Sequence, residues 1–199
     1  MDRLRSPGGC PWDAKQTHET LMPYLLEEAY EAYEALENGD LDHLREELGD
    51  LLLQIVFHAR IATDFDIDDV ASDLVDKLVR RHPHVFAGGS ADDLEGSWEA
   101  LKAAEKGRVS VTEGVPLGQP ALTLAAKLQR RAAKLGVPDV TYDGIGGELW
   151  DLVARCQAEG LDPEVELRAV ARRYRDRLAL AEAEGEKTPE EWRAALADS

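Results

Sequence analysis

Two short acidic runs inside otherwise apolar segments limit what this chain can fold into more than any other feature. They are Glu-Glu-Ala-Tyr-Glu at 27–31 and Glu-Glu-Leu-Gly-Asp at 46–50. Spacings of three and four residues place the acids of each run on one face of a helix, beside an apolar stripe. The intervening Asn-Gly-Asp at 38–40 supplies a helix stop and a cap for the next helix. So short a connection makes antiparallel neighbours, and the two acidic faces are predicted to meet.

The facing acids predict a metal site, because carboxylates beside a core repel one another unless a multivalent cation neutralises them. Hard oxygen ligands suit Mg²⁺, with Mn²⁺ as a substitute, and neither run contains the Cys or His that zinc prefers. A di-iron carboxylate bundle would need Glu-x-x-His from two helices, which neither run supplies. For any single acid a solvated surface role is the alternative, because the chain has 40 Asp and Glu against 23 Lys and Arg.

Charge and cysteine content exclude several classes of function. A net charge of −17 argues against non-specific binding to nucleic acid or to an anionic membrane, since both need a positive field. Cys10 and Cys156 stand far apart without a C-x-x-C pair, so neither a zinc site nor a disulfide framework is indicated. The sequence shows no apolar leader and no apolar run of membrane length, and we expect a soluble, cytoplasmic protein.

The hydrophobic pattern predicts an all-α protein in two parts, since strand signals are nearly absent. Residues 1–16, with their prolines and glycines, are expected to form an extended lead-in, with Thr17 or Thr20 as the first helix cap. The run at 107–120, with two prolines and three glycines, is the predicted linker. Helices are expected over 20–37, 41–64, 68–81, 94–106, 121–135, 144–159 and 162–184, followed by a tail capped at 188–189.

A series of short strings along the first half carries a family resemblance. They are Gly-Cys-Pro-Trp-Asp at 9–13, Gln-Thr-His at 16–18, the two acidic runs, Phe-His-Ala at 57–59, Lys-Leu-Val-Arg-Arg-His-Pro-His-Val-Phe at 77–86, and Trp98 with Glu99 and Lys102. In this order they resemble the MazG family of nucleoside triphosphate pyrophosphohydrolases, over roughly residues 1–106. Such a series is very specific, and it implies a helical-bundle catalytic domain.

The resemblance implies Mg²⁺-dependent hydrolysis of (deoxy)nucleoside triphosphates to the monophosphate and pyrophosphate. The family's metal motif lands on Glu27, Glu28, Glu31, Glu47 and Asp50. These carboxylates would hold one or two Mg²⁺ ions, and a water deprotonated there would attack the α-phosphorus in line. Either Glu28 or Glu27 would act as the base toward that water.

Basic residues after the acidic runs are the implied phosphate ligands. Lys77, Arg80, Arg81 and Lys102 would take the negative charge that develops on the departing pyrophosphate. Lys77 and Arg81 are also assigned catalytic roles, together with Glu28. A solvated helix face is the alternative, above all for Arg80.

Four polar or aromatic residues are candidates for the base and sugar pocket, with structural roles as an equal alternative: Trp12, Gln16, His18 and Gln54. His58 lies on a face near the acids, and we interpret it as a hydrogen-bonded histidine rather than a metal ligand. His-Pro-His at 82–84 indicates a helix stop with two hydrogen-bonding rings rather than a zinc site.

The second half resembles the family's C-terminal domain more faintly, through 120–133 and 160–164. That domain would repeat the acidic hairpin, yet only Gly-Gly-Glu-Leu-Trp-Asp at 146–151 stands in its place. Residues 121–199 are therefore predicted to be a degenerate, non-catalytic helical domain. Because the first-half helices have wide apolar faces and the family packs this unit as a dimer, we expect a homodimer or a dimer of dimers.

The resemblance leaves the physiological substrate open. Removal of non-standard or oxidised nucleotides from the pool is one interpretation, and hydrolysis of guanosine tetraphosphate, which shares the metal chemistry, is another. A non-catalytic acidic helical module that binds a basic partner is a third, from a different class. Base preference depends on pocket shape and a few hydrogen bonds, which the sequence does not set.

Overall fold

The computed structural model describes residues 1–88, 110–138, 140–185 and 187–196. The predicted helix at 94–106, with Lys102, lies outside these ranges, as does the first part of the predicted linker. Contacts between residues divide the chain into two compact units, Met1–Lys102 and Ala103–Ser199.

Every regular element within the described ranges is a helix, which confirms the predicted all-α class. In the first unit these are α1 (Asp2–Arg5), a 3₁₀ turn (Asp13–Lys15), α2 (His18–Asn38), α3 (Leu41–Ile61), α4 (Ile67–Arg81) and α5 (Pro83–Phe86). In the second unit they are α6 (Ala121–Ala133), α7 (Gly144–Ala158), α8 (Pro163–Ala183) and α9 (Pro189–Leu196). Across the same ranges, each helix is too short or too polar to serve as a membrane span.

The long helices α2 and α3 form an antiparallel hairpin with a tight turn. The Thr17 N–H donates to Thr20 Oγ1 (2.9 Å), and Thr17 Oγ1 accepts from the Thr20 N–H (3.3 Å). Thr17 is therefore the cap, and α2 begins two residues earlier than the predicted start at Thr20. Gly39 ends α2 with φ at +69°, a left-handed conformation that glycine adopts without strain. Asp40 caps α3, as predicted, by accepting from the His43 N–H at 3.0 Å.

The hairpin core is built from a few large side chains and several alanines. Leu21 on α2 and Phe57 on α3 are 1% and 2% exposed, and three alanines of the two helices are also buried. Large apolar side chains of α3 remain exposed, including Leu48, Leu52 and Ile55. Within the described ranges, the hairpin thus has an apolar face that its own chain leaves uncovered.

The first sixteen residues are folded rather than extended, which corrects the prediction. The Cys10 N–H donates to the Leu4 carbonyl at 2.7 Å. A Cβ at Gly9 would collide with that same carbonyl, so this packing requires glycine. The Arg5 guanidinium lies 5.3 Å from the centre of the Phe57 ring on α3. These contacts between distant residues, which local composition cannot reveal, hold the segment against α3.

Helix α4 packs against α3. It ends at Arg81, as the sequence predicts. Asp66 caps it through a capping box. At the other end, His82 Nδ1 lies 2.7 Å from the Leu78 carbonyl oxygen, and Pro83 opens the short helix α5. The His-Pro-His string therefore stops a helix, while α5 is not among the predicted elements. Helix α3 ends three residues before its predicted end.

The second unit packs α6 against α7 and α8, and α9 against α8. Gln129 on α6 links two of these helices through its amide. Its Nε2 donates to the Trp150 carbonyl at 2.9 Å, and its Oε1 accepts from Gln157 Nε2 at 2.6 Å. Val153 on α7 is 2% exposed and forms the centre of this small core together with buried alanines.

Candidate functional site

Three carboxylates from the two hairpin helices meet at one point. Glu28 on α2 and Glu47 and Asp50 on α3 each offer one oxygen, and these oxygens all lie within 4.8 Å of one another. Glu47 and Asp50 share a face because they are three residues apart on a helix, and the antiparallel turn brings Glu28 opposite them. Within the described ranges, no Cys or His belongs to the group. Three hard oxygen donors at this spacing fit Mg²⁺ or Mn²⁺.

Glu47 is the most informative member of this cluster, because it is only 6% exposed. Its Oε1 lies 2.9 Å from His43 Nε2, one helical turn earlier. Its Oε2 is buried and has no hydrogen-bond partner in the described part of the chain. A buried carboxylate oxygen without a partner is strongly destabilising unless a cation or a proton compensates it. The orphaned oxygen is therefore the observation that best fits a bound cation.

The neighbouring acids also change how readily Glu28 ionises. Its pKa is raised, first by burial and then by the negative charges of Asp50, Glu31, Glu47 and Glu27. Without a cation the cluster thus makes ionisation of Glu28 less favourable, and a bound divalent ion would make it more favourable. The side chains of Glu27 and Glu31 are exposed and lie outside the group of three. Their assignment as ligands stays a prediction.

Gln54 is the second buried polar residue of α3, at 5% exposure. It follows Glu47 by seven residues, which is two helical turns, so both side chains project from the same face. Its Oε1 has no hydrogen-bond partner in the described ranges. The acidic cluster and this amide therefore form one continuous polar strip along the hairpin.

His18 and His58 pair at the open end of the hairpin. Their Nδ1 atoms are 2.8 Å apart, the ring planes differ by 1°, and the ring centres are 5.1 Å apart. The two rings are parallel, and their Nδ1 atoms are much closer together than their centres. The rings therefore lie edge to edge in one plane, and the contact is an N–H···N hydrogen bond within that plane. The pKa of His58 is lowered, first by burial and then by the neighbouring His18, which keeps its ring neutral. His58 is thus hydrogen-bonded, as interpreted from the sequence.

Two other predicted pocket residues are engaged in local structure. Gln16 Nε2 donates to the Trp12 carbonyl at 3.0 Å, and its Oε1 accepts from the Thr20 hydroxyl at 2.7 Å. These bonds favour the structural alternative for Gln16. The Trp12 ring is 52% exposed and meets the Tyr24 ring edge-on, with centres 6.1 Å apart. It keeps a free aromatic surface that a base could contact.

Three of the four predicted phosphate ligands lie on α4, which packs against α3. Lys77 and Arg81 are half-buried, whereas Arg80 is exposed. Lys77 and Arg81 are four residues apart and therefore occupy one helix face, and Arg80 lies about 60° from Lys77 around the helix axis. Lys102 lies outside the described residues.

Comparison with known proteins identifies the family of this hairpin. The sequence matches the family model of the MazG nucleotide pyrophosphohydrolase domain over residues 16–86, which include all the acids discussed. A Thermotoga maritima protein named nucleoside triphosphate pyrophosphohydrolase/pyrophosphatase MazG is 39% identical, over 98% of this chain and 92% of that protein. The chain belongs to the MazG family. The resemblance drawn from the sequence is thereby confirmed.

Other relatives of this MazG chain differ in length. A Mycobacterium tuberculosis protein named nucleoside triphosphate pyrophosphohydrolase is 47% identical over 92% of this chain, and the match covers 56% of that protein. An uncharacterized 26.1 kDa protein of Streptomyces cacaoi is 53% identical over 92% of this chain and 79% of its own length. This chain therefore spans little more than half of its mycobacterial relative.

Sequence reasoning missed one residue beside the acidic cluster, His43. Its ring contacts the most buried carboxylate of the cluster, yet it lies outside both acidic runs. The signal was available, because a histidine four residues before a glutamate on a helix faces that glutamate. The pairing matters only once Glu47 is known to be buried.

Proposed function

We propose that this chain hydrolyses nucleoside triphosphates to the monophosphate and pyrophosphate, using Mg²⁺ held by the acidic hairpin. The observation that carries the proposal is the buried Oε2 of Glu47, which has no hydrogen-bond partner among the described residues, in a carboxylate that meets those of Glu28 and Asp50. Membership of the MazG family and the names of the relatives in Thermotoga and Mycobacterium support the same reaction.

Glu28, Glu47 and Asp50 are the proposed primary ligands, with Glu27 and Glu31 completing the set. A divalent ion there would neutralise phosphate charge and lower the pKa of a bound water, with Mn²⁺ able to replace Mg²⁺. His43 fixes the orientation of Glu47 by occupying Oε1, which leaves Oε2 for the ion.

The chain's own side chains supply the remaining chemistry. Glu28 is the better candidate for the base, because it is the acid of the α2 run whose carboxylate meets those of Glu47 and Asp50, and the exposed Glu27 is the alternative. Lys77 and Arg81, together on one face of α4, are proposed to stabilise the charge of the departing pyrophosphate. Arg80 and Lys102 are proposed as outer phosphate contacts.

The nucleoside end of the substrate is proposed to lie along the polar strip toward the histidine pair. Gln54 and His18 lie on this side of the cluster, and Trp12 offers an exposed aromatic ring. A housekeeping role, in which non-standard or oxidised nucleotides are removed from a cytoplasmic pool, is proposed as the physiological use of this activity.

A second copy of the chain is proposed to cover the exposed apolar face of the hairpin, giving a homodimer or a dimer of dimers. Exposed leucines and isoleucine on α3 support this, because single chains rarely leave such a face in water. Residues 121–199 are proposed to be non-catalytic. Among the described residues of that half, no group of three His, Cys, Asp or Glu side chains is close enough to hold an ion.

The test is a substrate panel with product identification, in Mg²⁺ and in EDTA. It includes natural and oxidised deoxynucleoside triphosphates and guanosine tetraphosphate, and it separates pyrophosphate from single phosphate. We expect Mg²⁺-dependent release of pyrophosphate and the monophosphate, and loss of this activity in Glu47→Gln. Release of single phosphate, or turnover that EDTA leaves intact, would contradict the proposal. A complete lack of turnover would favour a binding module.

A further inference from the structure

Two buried acceptor atoms lie on α3 beyond the carboxylate cluster. Gln54 Oε1 and, one turn later, His58 Nε2 are both buried, and neither has a hydrogen-bond partner in the described ranges. A buried polar atom without a partner carries the full penalty of lost hydration, which an apolar side chain of similar shape would avoid. Two such atoms on one helix face therefore indicate a site for a hydrogen-bonding partner that the described residues do not supply.

The histidine pair determines which role His58 Nε2 can take. One proton lies between the two Nδ1 atoms, so one ring donates and the other accepts. If His58 accepted, its Nε2 would carry a buried N–H without an acceptor. In the other tautomer His58 donates through Nδ1, and the exposed His18 places its own Nε2–H in water. His58 Nε2 is then a bare acceptor, like Gln54 Oε1.

The position of this pair corresponds to the nucleoside end of a bound nucleotide. Gln54 lies one turn beyond Asp50 and two turns, about 10 Å along the helix axis, beyond Glu47, so it continues the cluster toward the open end of the hairpin. Fifteen residues separate Gly39 from Gln54 and also from Tyr24, so these two side chains lie at the same level of the hairpin. Tyr24 contacts the half-exposed Trp12 ring there. An aromatic surface beside hydrogen-bonding atoms suits a base and its sugar.

We propose that Gln54 and His58 form a subsite that accepts hydrogen bonds from the nucleoside end of the substrate, and so favours nucleotides that carry a donor there. This inference rests on the proposed function. Phosphate groups cannot fill the subsite, because they offer acceptors. The nucleoside offers two kinds of donor, the exocyclic amino group of the base and the sugar hydroxyls. Because both atoms are buried in the nucleotide-free chain, binding would include a local rearrangement that exposes them.

The experiment compares nucleotide pairs that differ in one donor. ATP and ITP differ in the 6-amino group, ATP and dATP in the 2′-hydroxyl, and ATP and 3′-deoxy-ATP in the 3′-hydroxyl. One of these pairs differs in the donor that the subsite binds. For that pair we expect the wild-type kcat/KM to be at least about tenfold higher for the nucleotide that carries the donor than for the one that lacks it. Gln54→Met should bring this ratio close to one by lowering the rate with the donor-bearing nucleotide alone.

A matched control and a second readout keep the two proposals separate. Gln157→Met removes another amide with a buried, unpartnered Oε1, in the second unit, and should leave every ratio unchanged. Calorimetric binding of AMP, IMP and the deoxy monophosphates measures donor selectivity without hydrolysis, and His58→Phe repeats the test if Gln54→Met does not fold. Pyrophosphate release with ratios near one for all pairs would overturn the inference and leave the proposed function standing. Equal losses for every nucleotide in Gln54→Met, or a changed association state with unchanged ratios, would also overturn it.

Discussion

Replacing Glu28 with glutamine should stabilise the metal-free protein while removing its function. The substitution keeps the shape of the side chain and removes one of three charges whose oxygens lie within 4.8 Å of one another. At that distance two unit charges repel by about 0.9 kcal/mol in water-like surroundings and about 3.5 kcal/mol at an effective dielectric constant of 20. Two such pairs disappear, and because Glu28 is only partly buried we take the lower value, about 2 kcal/mol in total.

Thermal unfolding in EDTA and in Mg²⁺ tests this expectation. In EDTA the unfolding midpoint of Glu28→Gln should exceed that of the wild type by about 4–8 °C, since about 1 kcal/mol shifts a chain of this size by about 2–4 °C. In Mg²⁺ the order should reverse, because the wild type gains binding free energy that the variant largely loses. Glu46→Gln, at an exposed glutamate outside the cluster, is the matched control and should change neither midpoint.

The pH dependence follows from the raised pKa of Glu28. A carboxyl with a raised pKa binds its proton more tightly in the folded state than in the unfolded state, where the value is near 4.5. Its contribution to the free energy of unfolding of the metal-free protein therefore falls as pH rises from 4.5 through the raised value. Glu28→Gln should remove that part of the slope. A variant less stable than the wild type in EDTA, or one stabilised by Mg²⁺ to the same extent, would refute the reasoning.

Three further predictions concern the surroundings of the cluster. His43→Ala should weaken Mn²⁺ binding, measured by electron paramagnetic resonance. His43→Gln should restore part of the affinity, because its amide can still donate a hydrogen bond to Glu47. Equal Mn²⁺ affinity in the wild type and both variants would contradict the role of His43 in orienting Glu47. Lys77→Ala and Arg81→Ala should raise KM or lower kcat while metal affinity is retained. A loss of metal affinity in either variant would contradict its assignment as a phosphate ligand. A chain of residues 1–106 should keep pyrophosphohydrolase activity if sedimentation shows that it still dimerises, and a dimeric but inactive fragment would give the second half a catalytic role.

The hairpin could be predicted from the sequence because the signals that make it are local. Helical periodicity, a glycine stop and an aspartate cap specify α2, α3 and the turn between them. The lead-in could not, because its conformation depends on contacts with α3 such as the Arg5 guanidinium above Phe57. The start of α2 could not be decided from the sequence, because either Thr17 or Thr20 can cap a helix. In the structure the side chain of each residue bonds the backbone N–H of the other, and the backbone conformation shows that Thr17 is the residue just before the helix.

The sequence predicts the type of site, an acidic metal site, better than it predicts which residues form it. The acidic run on α2 spans an arc of the helix, and how far that helix is rotated decides which acids face α3. The structure turns Glu28 inward and leaves Glu27 and Glu31 at the surface, a choice that periodicity alone does not make. Burial is likewise a tertiary property, so neither the orphaned oxygen of Glu47 nor that of Gln54 could be foreseen.

The tight turn at Gly39 has a consequence for how sequences of this kind can vary. Eleven residues separate Gly39 from Glu28 on one side and from Asp50 on the other, so the turn sets the level at which the acids meet. One residue inserted into a helix between Gly39 and its acids would rotate those acids by about 100° and shift them by about 1.5 Å relative to the partner helix. Both helices could remain intact while the acids no longer faced each other. The number of residues between the turn and each acid is therefore as restricted as the identity of the acids themselves.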